Sequence, residues 1–353
     1  MRLLPGLFLA LILALSGQNL SEFIGITLMG LPKSPVSPIM MAVLLGILIR
    51  NTIGLPESFK AGVKFGLVRV LRAGIVLLGI RLSLGQVGEI GLQSLPVIGV
   101  CVVAALIIVT YFGHRLGVSG RLGTLIAVGT SICGATAIVA TAPAIGAQDD
   151  EVAYAVACIA LFGILAMLVY PFAAHWIFAG DPFASGLFLG TAVHDTSQVV
   201  GAGLVYQQYY SDPQTLDVAT VTKLVRNLGM LIVIPVMSIA YHRQQAESGS
   251  AMLQKWWAMI PLFVIGFACM SLLRTIGDAG EPGLGMLQPE HWHTFVTYTK
   301  KTAEFCLAVA MASVGLGTRI SDLKNIGIKP LAIGLFSALL VGTVSISLIK
   351  SLY

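Results

Sequence analysis

Three residues able to exchange protons or hold polar ligands, His194, Asp195 and Gln198, crowd into the segment 190–201 (GTAVHDTSQVVG). An imidazole carries a proton near neutral pH, and a neighbouring carboxylate can favour the charged ring or accept the proton in turn. Such a pair suits proton coupling. In a continuous helix His194 and Gln198 share one face, and Thr191 and Asp195 the next. A second segment, 129–140 (GTSICGATAIVA), sets the hydroxyls of Ser131 and Thr136 and the thiol of Cys133 around Gly134. A glycine there lets the backbone open and free N–H donors for an anion. The third group is cationic: Lys223, Arg226 and Asn227 fall on one helix face, a fork and a point charge suited to a small inorganic or organic anion.

Each group also has a plainer reading. Small residues at 129–140 serve close helix packing without any ligand. A His–Asp pair can simply bridge two helices, and Lys223 can snorkel to an interface. Arg81 reads as an interfacial anchor, Arg72 as a deeper group able to line a pathway, and Lys300 with Glu304 as an exposed helix pair. The five cysteines have no ligand spacing, so neither a metal site nor disulfides are expected.

The elements that must hold these residues lie in a membrane. Apolar residues make up 56% of the chain and charged residues 10%, against roughly 25% charged in soluble domains. Mean hydropathy is +0.90. Runs approaching the ~20 residues that span a bilayer recur at 4–28, 36–50, 62–82, 93–111, 121–147, 152–172, 183–208, 220–241, 255–275, 295–317 and 328–349. The first has no convincing cleavage site and reads as a retained anchor. The runs 121–147 and 183–208 are too long and too polar in the middle for simple rods, which predicts interrupted helices or re-entrant loops. The expected fold is therefore an all-α polytopic membrane protein of about eleven segments in a single domain over 1–353, secondary-transporter-like, with 121–208 as its core. Arg50, Lys60, Lys64, Arg115, Arg121 and Lys329 gather on one side with Arg2, Arg243, Lys255, Arg319 and Lys324, so the N-terminus is expected in the cytoplasm. The net charge of +5 needs no nucleic-acid partner, since no basic, aromatic-interleaved face exists. Gly79-Ile80-Arg81-Leu82-Ser83 with Pro96 resembles Gly317-Thr318-Arg319-Ile320-Ser321 with Pro330, which makes 295–349 the inverted counterpart of 62–111.

The runs LRAGIVLLGIRLSL (71–84), SICGATAI (131–138), VHDTSQVV (193–200) and KLVRN (223–227) resemble the YeiH-type (UPF0324) bacterial inner-membrane proteins, a family for which sulfate export has been proposed. The resemblance runs from about residue 5 to the end. It implies a multi-pass protein of the bacterial cell inner membrane, suggests an anion cargo, and marks Ser131, Cys133, His194, Gln198, Lys223 and Arg226.

Together these readings predict a secondary active transporter of a small anion, sulfate or a related sulfur oxyanion or sulfonate, coupled to H+ or Na+. The binding residues are expected at Ser131, Cys133, Gly134, Thr136, His194, Asp195, Gln198, Lys223, Arg226 and Asn227, with no cofactor. A homo-oligomer is compatible with this arrangement. An anion channel is the nearest alternative, and an intramembrane enzyme using Cys133 and His194 the more distant one. ATP drive is not expected, since the sequence shows no GxxxxGK(S/T) loop or soluble nucleotide domain.

Overall fold

Continuous apolar sequence with few turn residues can satisfy its backbone in lipid only as helix, and every regular element described is helical. The computed structural model describes residues 3–29, 34, 37–245, 261–279, 288–319, 321 and 327–353. In chain order the helices begin with α1 (Leu4–Glu22), α2 (Pro38–Thr52), α3 (Glu57–Phe65), α4 (Leu71–Leu78), α5 (Leu84–Ala104) and α6 (Thr110–Arg115). There follow α7 (Gly120–Ser131), α8 (Ala135–Thr141), α9 (Asp149–Ile177), α10 (Pro182–Ala192) and α11 (Thr196–Tyr210). The last are α12 (Gln214–Leu228), α13 (Met230–Gln245), α14 (Leu262–Asp278), α15 (Pro289–Gly317) and α16 (Ile328–Leu352).

Helix stands at each of the eleven expected runs, although 255–260 and the start of the second run lie outside the described residues, as do Arg2, Lys33, Lys255 and Lys324. Among the described residues five helical stretches are long and apolar enough to cross a membrane: Leu4–Leu28, Leu84–Arg115, Asp149–Ile177, Gln214–Met237 and Ile328–Leu352. The rest are shorter, more charged or broken, so a count of eleven crossings does not follow from length and hydropathy. Of the two repeat-like stretches, the first is a 3-10 turn over Gly79–Arg81 leading to α5, whereas Ile320 and 322–326 of the second lie outside the described residues.

The chain divides into two compact units, the first being Met1–Ile90, Leu204–Pro213 and Pro261–Ile320, the second Gly91–Gly203, Gln214–Ile260 and Ser321–Tyr353. In the first unit α2 and α15 meet backbone to backbone at Gly46 and Gly315, and a Cβ on Gly46 would stand 2.8 Å from the Ala312 carbonyl oxygen. Around that contact Ala10, Leu13, Ala42, Val63, Val309 and Leu316 form an apolar core. Arg81, expected at an interface, is instead inside this unit: its side chain is 7% exposed, and Nη1 donates to Glu304 at 3.2 Å. Arg72 is exposed and stacks over the Phe263 ring at 5.7 Å, an anchoring contact within the same unit.

The second unit encloses two short helices beyond their first two residues. Residues Leu122 to Ser131 of α7 and Ala184 to Ala192 of α10 are all buried, which is the condition under which a helix can end at membrane depth. Ser119 caps α7 by accepting from Leu122 N–H at 3.2 Å, and Asp181 caps α10 through Ala184 N–H at 2.7 Å, with Pro182 preset in the first turn. The longest neighbour, α9, starts from a Gln148/Glu151 capping box and runs about 43 Å at 1.5 Å per residue. Against it, Leu122, Leu125, Ile126, Ile138, Ile159 and Ile333 build the core of this unit. Two hydroxyl contacts tie α16 to both short helices: Thr130 Oγ1 donates to Ser337 Oγ at 3.1 Å, and Thr191 and Ser345 share a hydrogen bond of 2.7 Å.

Candidate functional site

Both polar segments interrupt a helix. The first break runs Ile132–Gly134, and Gly134 adopts φ 66°, ψ −130°, a conformation closed to residues with a side chain at ordinary cost. The second runs Val193–Asp195 and turns on an extended Val193 with ψ 139°. Asp195 then opens α11, with Oδ1 accepting from Ser197 N–H at 2.9 Å and from the Ser197 hydroxyl at 2.7 Å. Gln198 reaches back, its Oε1 accepting the Asp195 N–H at 3.0 Å, while Nε2 donates to the Ala160 carbonyl of α9 at 3.3 Å. Asp195 thus caps α11 through Ser197 at the second position while Gln198 closes back on the Asp195 N–H, a variant of the capping box whose Asp-x-x-Gln signature stands in the sequence. The two breaks touch, because a Cβ on Gly134 would lie 3.0 Å from Asp195 Oδ2.

Each break leaves orphan carbonyls at the end of the preceding helix, and in lipid each unsatisfied group is costly. Lys223 and Arg226 of α12 meet them. Lys223 Nζ donates to Ile132 O at 2.8 Å, Val193 O at 3.2 Å and His194 O. Arg226 Nε donates to Ser131 O at 2.8 Å and Nη2 to Thr130 O. Its Nη1 donates to Thr191 O at 2.6 Å, Val193 O at 3.1 Å and Gly190 O at 3.5 Å. The two cations thus sit at the negative dipole ends of α7 and α10 together, where a positive charge is favoured. Both are buried, which removes snorkelling for Lys223.

All ten expected residues gather here within the second unit, yet their partners differ from those that sequence spacing suggested. His194 lies in the break rather than on a helix, so it shares no helical face with Gln198; both ring nitrogens are buried without a partner among the described residues. Asp195 turns its carboxylate to Ser197, not to the imidazole. Cys133 is buried with its sulfur 3.1 Å from Met230 Sδ, so no nucleophile–base contact joins it to His194. The Ser131 hydroxyl donates to Val128 O at 3.1 Å, and Asn227 Nδ2 donates to Thr196 Oγ1 at 3.1 Å, leaving Oδ1 unpartnered. Thr136 is exposed in the first turn of α8, and Asp195 is half-buried. Among the described residues no group of three His, Cys, Asp or Glu side chains could hold a metal ion.

Sequence spacing missed Ser337 and Ser345, whose eight-residue separation puts both on one face of α16 beside the packing glycines Gly334 and Gly342. The small-residue rhythm GxxS repeated in that helix is the available signal.

A bundle of apolar helices with two enclosed, interrupted ones is an all-α, multi-pass membrane protein. Residues 5–334 match the family described as conserved hypothetical protein 698. The chain is 34% identical over 345 residues to a UPF0324 membrane protein of Streptococcus agalactiae serotype V, covering 98% of this chain and 96% of the relative. It is 32% identical to one of Fusobacterium nucleatum, with 99% and 98% covered, and 30% identical to one of Nitratidesulfovibrio vulgaris, with 94% and 88% covered. The chain belongs to this UPF0324, YeiH-like membrane protein family of bacteria.

Proposed function

We propose that this protein is a secondary carrier of a small anion in the bacterial inner membrane, and that the paired helix breaks form its binding site. The observation that carries the proposal is a charge balance. Four helix ends meet at the breaks, contributing roughly half a charge each, positive at two and negative at two, and these cancel. Lys223 and Arg226 add two positive charges and Asp195, the one carboxylate in the break segments, removes one. The site is short of one negative charge, and an anionic solute reaching it by way of Thr136 and Asp195 would supply it. Sulfate, a related sulfur oxyanion or a sulfonate is the cargo that the YeiH-type resemblance implies. Coupling to H+ would use His194, whose ring nitrogens are unpartnered; coupling to Na+ would use backbone and side-chain oxygens. The same proposal takes 121–208 as the core, eleven crossings with a cytoplasmic N-terminus, and 295–349 as the inverted counterpart of 62–111.

Counterflow in proteoliposomes tests this function with sulfate, sulfite, a sulfonate and a small carboxylate, each at two pH values. Saturable exchange of at least one anion is expected, without chemical change to it. Currents far faster than carrier turnover would mean a channel, an altered product an enzyme, and silence toward every anion would remove the proposal. His194→Gln separates the coupling ions: under proton coupling it should abolish the pH-gradient dependence, whereas under sodium coupling it should keep gradient-driven flux, which removal of sodium stops in wild type and variant alike.

A further inference from the structure

The first unit contains a cavity of about 510 Å³ between α1, the start of α2, the end of α11 and the middle of α15. That volume falls within the ~300–1,000 Å³ of small-molecule sites. Its wall is polar at Gln18, Glu22, Gln207, Gln208, Lys301 and Glu304, where a lipid-filled groove would be apolar. The two sides of this wall differ in charge and in what they leave unsatisfied. Glu304 Oε1 accepts from Arg81 at 3.2 Å and from Gln207 Nε2 at 3.0 Å, which fixes the carboxylate and leaves its second oxygen without a donor among the described residues. Gln207 Oε1 is buried without a partner among the described residues and does not face the cavity, so the amide serves to hold Glu304 rather than a ligand. Glu22 adds a second carboxylate, holding the Gln18 amide at 3.3 Å. Lys301 is exposed and has no ion pair or hydrogen bond among the described residues.

Lys301 and Glu304 are three residues apart on α15, which sets their Cβ atoms about 5–6 Å apart on one face. A molecule with an ammonium and an oxyanion separated by two or three bonds matches that spacing. We propose that this cavity binds a small amino-acid-like zwitterion, its ammonium on the second oxygen of Glu304, which Arg81 and Gln207 leave free, and its oxyanion on Lys301. A simple anion would face two carboxylates, and a simple cation would face the lysine, so either alone meets an opposing like charge. The site belongs to the first unit and is independent of the carrier function proposed for the helix breaks.

Equilibrium binding to the full-length protein in detergent provides the test, with glycine and β-alanine as zwitterions and propionate and ethylamine as singly charged controls. One zwitterion should bind saturably and about tenfold or more tighter than either control, the size that a charge-assisted hydrogen bond provides. Lys301→Gln should cut that affinity by about tenfold at an unchanged melting temperature, because the lysine is exposed and unpaired. Glu304→Gln should abolish binding. Equal binding of propionate, no binding of either zwitterion, or wild-type affinity in Lys301→Gln would overturn the proposal.

Discussion

The two helix breaks solve one problem by different means. At 132–134 the helix is interrupted through backbone freedom, with Gly134 at φ 66° and no side-chain cap on α8. At 193–195 no glycine is used: the break is held by side chains, Asp195 on Ser197 and Gln198 on Asp195. The first break therefore depends on a side chain being absent, the second on particular side chains being present. What they share is α12, since Arg226 and Lys223 bind the carbonyl ends of both preceding helices. The difference predicts that substitutions in the breaks act locally, while substitutions in α12 act on both at once.

The largest effect is expected at that shared lock. Arg226→Met keeps an apolar stem of similar length but leaves the carbonyls of Thr130, Ser131 and Thr191 without their side-chain donor, while Val193 O keeps Lys223 alone. An unsatisfied buried group costs about 1–3 kcal/mol, so the variant should lose at least ~3 kcal/mol of stability. Reversible unfolding in mixed micelles measures this, and a loss below ~1 kcal/mol would mean that the carbonyls find other donors. Arg226→Lys should recover only part of the loss, because a point charge cannot span both helix ends as the fork does.

Gly134→Ala comes next and should act mainly on the first break, reaching the second only through Asp195. The φ of 66° with ψ −130° strains any side-chain-bearing residue by about 1–3 kcal/mol, and the added Cβ meets Asp195 Oδ2 at 3.0 Å. No glycine substitution at 193–195 can have this effect, because the second break contains none. The same unfolding measurement checks it, and a neutral Gly134→Ala would show that the first break does not need its backbone geometry.

Much of this difference was written in the sequence, and the part that was not has a physical cause. Interruption was legible because Gly134 and the polar run at 191–198 cannot persist in a lipid-facing helix. The nearness of the two breaks to Lys223 and Arg226 was legible as well, because all three polar groups stood out from apolar sequence. Partner choice was not legible. Spacing rules assume an unbroken helix, so His194 and Gln198 were read as one face when the break between Ala192 and Thr196 had already rotated them apart. The cations were read as meeting a solute because a sequence does not display backbone carbonyls, which are the groups they bind. Asp195-Thr196-Ser197-Gln198 is a capping signature, yet helix caps are not expected at membrane depth, and the more reactive reading prevailed.

The smallest effect is also the one that joins the two breaks. Asp195→Ala removes an N-terminal cap and should cost about 0.5–2 kcal/mol, with the charge lost from the only carboxylate in these segments. Combined with Gly134→Ala, the two losses should fall short of their sum. Part of the Gly134→Ala penalty is the contact with Asp195 Oδ2, and truncating that side chain relieves it, while the backbone strain remains. Groups in contact couple by about 0.5 kcal/mol or more, which a double-mutant cycle resolves. Asp195→Asn provides the control within the same cycle: it keeps the volume that meets the new Cβ and retains a cap acceptor, so its coupling to Gly134→Ala should vanish. Coupling of equal size for alanine and asparagine would mean that the carboxylate's charge, rather than its bulk, links the breaks, and strict additivity in both would mean that each break stands alone.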